Sequence, residues 1–142
     1  MPSSQPVFAG VYLAVADMAA SVDFYRRLGL DVPDGSEGEI HVRVPLGEGA
    51  ALALGTLELT KAYNPGWQQA GAGATNALQF DVPTRGAVDE VYERMTAAGA
   101  VGLLAPFDAF WGTRYAEIAD PDGNVVGVHS PRDPAKVSPP PL

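Results

Sequence analysis

Asp120-Pro121-Asp122-Gly123-Asn124 lies between two strand-like runs, Arg114 to Ala119 and Val125 to His129. Proline presets one backbone angle, aspartate bonds neighbouring amides, and glycine tolerates a positive φ, so the stretch reads as a tight turn closing a hairpin. Upstream, Asn76 to Val82 reads as a strand and Thr84 as a helix cap. Val88, Val91, Met95 and Ala98 then recur on one helical face until Gly99 stops the helix. A strand at Gly102 to Ala105 completes a βαβββ unit.

The same plan appears earlier in the chain. Val7 to Ala16 is an apolar β-rich run, Asp17 is a helix cap, and Met18, Val22, Tyr25 and Leu28 follow at helical spacing up to Gly29. Glu39 to Pro45 alternates Ile40, Val42 and Val44 with Glu39, His41 and Arg43, the pattern of a strand with one buried face. Ala50 to Leu59 reads as a further strand. Neither unit covers both its helix and its sheet alone, which predicts two paired modules, in one chain or across a dimer. The expected class is therefore α+β: two βαβββ modules forming a curved mixed sheet around a cleft, helices outside. The predicted layout is an extension at 1–6, a first module at 7–60, a linker at 61–75, a second module at 76–130 and a disordered Pro-rich tail at 131–142, all in one domain.

Composition bounds the function. The 142 residues, 46% of them hydrophobic, are enough chain for one real core. No apolar run approaches the ~20 residues of a membrane helix, and Met1 to Pro6 lacks the basic and apolar regions of a secretion signal. The absence of cysteine excludes disulfides and thiolate chemistry, so a cytoplasmic location is expected. Seventeen acidic against nine basic side chains give −8, which repels nucleic acid and anionic membranes; it reads first as a solvated acidic surface and second as an attraction for a cationic ligand.

Two ordered stretches carry a family likeness. Val15-Ala16-Asp17-Met18-Ala19-Ala20-Ser21-Val22-Asp23-Phe24-Tyr25 through Leu28-Gly29-Leu30, and Phe110-Trp111-Gly112-Thr113-Arg114-Tyr115 through Asp120-Pro121-Asp122-Gly123-Asn124, resemble the signatures of the vicinal oxygen chelate superfamily. That group takes in glyoxalases, bleomycin resistance proteins and extradiol dioxygenases. Its metal-dependent members carry His, Gln or Glu ligands on cleft-facing strand positions. The matching positions here are Gly10, the Ala/Leu/Gly strand Ala50 to Gly55, Ala77 and Gly127, none of which binds a metal. The resemblance thus implies no metal site and no cofactor, closest in character to the metal-free bleomycin-resistance-like members, and a homodimer.

Alternation leaves an aromatic and polar set on the cleft faces. Tyr12, His41, Gln79, Trp111, Tyr115 and Glu117, with Trp67 from the linker, suit a flat ligand held by stacking and a few polar contacts. Trp67 and Trp111 would equally suit a dimer interface or module seam. The expected function is small-molecule binding, sequestering an aromatic or cationic drug-like compound. The alternative is a lyase, isomerase or dioxygenase-like enzyme, metal-free or with displaced ligands, with His129, Glu117 and Asp81 as candidate acid or base groups.

Overall fold

The computed structural model describes residues 4–69 and 76–141. The chain forms two compact units, residues 1–69 and 70–142.

In the first unit, β1 (Gly10–Val15) runs parallel to β3 (Ala50–Thr56), and β2 (His41–Gly47) pairs antiparallel with the other side of β3. Helix α1 (Met18–Leu28) is capped by Asp17, whose Oδ1 accepts the Ala20 N–H at 3.1 Å. It ends at Gly29, whose φ of 117° is the left-handed stop that glycine adopts without a Cβ penalty. Met18, Val22 and Tyr25 of α1 are buried, as are Val15, Val42, Val44, Leu52 and Leu54 on alternate strand positions. Each such side chain stabilises the fold by about 1.5–3 kcal/mol.

The boundaries of this unit differ from the sequence reading in three places. Residues 7–9 lie outside β1, and Val7 and Phe8 are exposed. Ile40 precedes β2 and is exposed, so the buried alternation holds only for Val42 and Val44. The strand expected to reach Leu59 stops at Thr56, and Leu57–Tyr63 is helix α2. The reason is local: Thr56 Oγ1 caps the Leu59 N–H at 3.2 Å, and the Thr60 hydroxyl bonds back to the Thr56 carbonyl. The sheet of this unit accordingly has three strands, and the predicted linker begins as helix; its residues 70–75 lie outside the described residues.

In the second unit, β4 (Ala77–Asp81), β5 (Val101–Asp108), β6 (Arg114–Ala119) and β7 (Val125–His129) form a sheet in the order β4-β7-β6-β5. β4 and β7 are parallel and the other pairs antiparallel. Helix α3 (Arg85–Ala97) starts at Thr84, whose Oγ1 accepts the Ala87 N–H. Its Val88, Val91 and Met95 are buried, together with Ala116, Ile118, Val126 and Val128 of the sheet. The turn that decided the fold is built around buried Asp120, whose carboxylate accepts from the Asp122 and Asn124 amides and from Asn124 Nδ2. Gly123 takes a φ of 87° there.

The tail, expected to be disordered, is instead docked. Asp133 caps a 3₁₀ turn at Pro134–Lys136 and donates its own N–H to Gly112 O at 2.9 Å. Ser138 N–H bonds Phe110 O, and Val137 bridges to Trp111. Pro134 is accommodated because it takes the first position of that turn, where no N–H is required.

Candidate functional site

Strand register places five of the candidate residues on one face of the second sheet. Asp81, His129 and Tyr115 form one row across β4, β7 and β6, and Gln79, Gly127 and Glu117 the next. Leu78, Phe80, Val126, Val128, Ala116 and Ile118 alternate onto the opposite, core face.

Gly127 is what lets the polar groups converge. A Cβ built there would stand 2.6 Å from the Tyr115 hydroxyl and 2.9 Å from Gln79 Oε1, so both side chains occupy space that any other residue would fill. Gln79 Oε1 only accepts, so His129 donates to it from Nε2–H. His129 Nδ1 faces the Thr113 hydroxyl at 3.4 Å, and a hydroxyl can donate or accept there. Tyr115 bonds the Gln79 amide and donates its hydroxyl proton to Glu117 Oε2 at 2.6 Å. A chain of hydrogen bonds thus crosses three strands from Thr113 to Glu117. Burial holds the Tyr115 phenol above its ordinary pKa, and the Glu117 hydrogen bond adds to the effect.

An aromatic group borders this chain. Trp111, on the turn between β5 and β6, packs against Phe107, Phe110 and Tyr115, and its ring centroid lies 6.3 Å from that of His129. Its buried Nε1–H has no hydrogen-bond partner among the described residues. Beside His129 opens a cavity of about 570 Å³ walled by Gln79, Asp81, Thr113, Ser130 and Arg132 among others. That lies within the usual range for a small-molecule site. Thr113 and Arg132 were not anticipated. Arg132 lies in the segment read as disordered, although Asp133-Pro134 is itself a recognisable cap.

The remaining candidates lie in the first unit. The Tyr12 ring stands 6.3 Å from His41 and 6.2 Å from Tyr63, and its hydroxyl is 2.9 Å from Thr60 Oγ1. Tyr63 and Thr60 were missed because they belong to α2, where a strand end and linker were expected. Trp67 follows α2 in a turn, its N–H bonded to Asn64 O, and does not join Tyr12 and His41 in a ring contact.

Metal-binding chemistry does not fit these residues. Gly10, Ala77 and Gly127 offer no donor, Glu117 is engaged by Tyr115 and His129 by Gln79. Among the described residues no three His, Cys, Asp or Glu side chains come together as a ligand group.

The family model for the Glyoxalase/Bleomycin resistance protein/Dioxygenase superfamily matches residues 7–128, and the chain belongs to that superfamily. Solved structures share its fold. A glyoxalase/bleomycin resistance protein/dioxygenase family enzyme from Burkholderia phytofirmans PsJN is 24% identical with a TM-score of 0.74, over 86% of this chain and 96% of that one. A glyoxalase-related enzyme from Fulvimarina pelagi is 22% identical with a TM-score of 0.76, over 89% of each chain. A glyoxalase/bleomycin resistance protein/dioxygenase from Nocardioides is 25% identical with a TM-score of 0.71, over 98% of this chain and 91% of that one. No curated protein matches the chain. Among the described residues no helix is long and apolar enough to cross a membrane.

Proposed function

We propose that the protein is a metal-free binder of small molecules, holding an aromatic or cationic compound against the polar face of the second unit. The observation that carries this reading is the convergence over Gly127. Where a family ligand would stand, Tyr115 and Gln79 fill the space with a hydrogen-bonded chain, next to the rings of Trp111 and Tyr115 and an open cavity. The buried indole N–H of Trp111 has no acceptor among the described residues, which costs about 1–3 kcal/mol.

Screening planar compounds by tryptophan fluorescence tests the proposal. Saturable, stoichiometric binding without turnover is expected, and Trp111→Ala should weaken it by about 1 kcal/mol or more. Unchanged affinity in that variant would remove Trp111 from the site, and a screen with no binder would sink the reading.

One observation favours a second reading, an enzyme of the lyase, isomerase or dioxygenase-like kind. The Tyr115 hydroxyl on the Glu117 carboxylate is a donor-acceptor pair at 2.6 Å, a geometry used in acid–base catalysis. Consumption of a bound compound, abolished in Glu117→Gln with binding retained, would favour it.

A further inference from the structure

The cavity beside His129 carries a full cation and a full anion that neutralise neither each other nor anything else. Arg132 and Asp81 both line it. No ion pair joins them, and neither has a salt bridge to any other described residue. Arg132 is held back by its own anchoring. Its Nε donates to Trp111 O at 3.1 Å, and the next residue, Asp133, is pinned to Gly112 O. The two terminal guanidinium nitrogens remain as donors without a described partner. Asp81 ends β4 opposite His129, and its carboxylate accepts no hydrogen bond among the described residues.

From this we infer that the cavity is a site for a dipolar ligand, an α-amino acid or a small molecule ending in one, with its carboxylate at Arg132 and its ammonium at Asp81. The inference rests on the small-molecule-binding reading and names the ligand class for it. Three considerations select a zwitterion. A simple anion is repelled by a chain of net charge −8. A simple cation meets Arg132 in the same cavity. A molecule with both charges makes a charge-assisted hydrogen bond at each end, the stronger kind, and carries no net charge against the field of the whole protein. Thr113 and His129 line the same cavity with hydrogen-bonding groups, and the Tyr115 ring lies 4.5 Å from the imidazole. Those neighbours suit a ligand with an aromatic side group.

Isothermal titration with three probes tests the assignment: L-phenylalanine, N-acetyl-L-phenylalanine, which lacks the cation, and L-phenylalanine amide, which lacks the anion. The free amino acid should bind about tenfold tighter than either capped form, one charge-assisted contact being lost in each. Arg132→Gln should bring the free amino acid down to the level of the amide, and Asp81→Asn should bring it down to the level of the N-acetyl form. Each variant should spare the contrast that the other removes. Both side chains are solvent-facing, and a circular dichroism melt confirms that the variants fold. Equal affinities for the three probes, or a uniform loss in both variants, would overturn the dipolar assignment while leaving small-molecule binding intact. So would failure of all three probes where neutral planar compounds bind. Failure of both the probes and the planar compounds would overturn the binding reading as well.

Discussion

Replacing Gly127 by alanine should cost far more than the usual glycine-to-alanine change in a strand. The added Cβ meets the Tyr115 hydroxyl at 2.6 Å and the same ring's Cε1 at 2.9 Å. Gln79 is flexible and can withdraw, but Tyr115 is a rigid ring, buried and packed against Trp111, Phe107 and His129. Overfilling a packed site costs about 1–3 kcal/mol. Moving the phenol also breaks its hydrogen bond to the Glu117 carboxylate. Glu117 is only half-buried and water can replace the donor, so the low end of the charged range, about 1.5 kcal/mol, applies. Alanine's smaller loss of backbone entropy returns about 0.5–1 kcal/mol. The net expectation is a loss of about 1.5–4 kcal/mol in the urea unfolding free energy. Ultraviolet difference titration of the tyrosines, with Tyr115→Phe as the reference, should show the Tyr115 phenol moving back toward the ordinary value. A stability loss under about 0.5 kcal/mol would refute the claim that Tyr115 and Gln79 occupy the space over Gly127.

Two further perturbations probe the same unit. Because the Tyr115 pKa is raised on folding, the unfolded chain ionises first as pH climbs; the stabilisation is present below about pH 10 and is lost as pH rises through the folded value, and Tyr115→Phe should remove that part of the alkaline decline in unfolding midpoint. Gly112 has a φ of 97° and lies with its Cβ position 2.7 Å from Asp133 O, so Gly112→Ala should destabilise the unit by about 2–4 kcal/mol through left-handed strain and backbone collision, and limited proteolysis should cut the tail faster than in the parent.

Much of this was written locally in the sequence. Asp17, Gly29, Thr84 and the Asp120 turn each act through their own neighbours, so their spacing could be read directly. Period-two alternation in β4, β6 and β7 was strong enough to assign Gln79, Asp81, Tyr115, Glu117 and His129 to one face. Helix α2 was missed because Leu52, Leu54, Leu57 and Leu59 look like a continuing apolar strand. The decisive contact, Thr56 Oγ1 on the Leu59 amide, is a cap hidden inside that run. The docked tail escaped notice for another reason. Its contacts with Phe110, Trp111 and Gly112 are mostly backbone hydrogen bonds, which leave no side-chain pattern in the sequence. Arg132 as a wall of the cavity went with it.

In the function proposed for it, this member of the superfamily works without a metal on the face around Gly127. Isothermal titration of chelator-treated protein with Ni²⁺, Mn²⁺, Zn²⁺ and Fe²⁺ tests it most directly. No saturable uptake at micromolar concentration and no metal-induced rise in melting temperature are predicted. One-to-one, micromolar binding of any of the four, lost in His129→Ala or Glu117→Gln, would contradict the account.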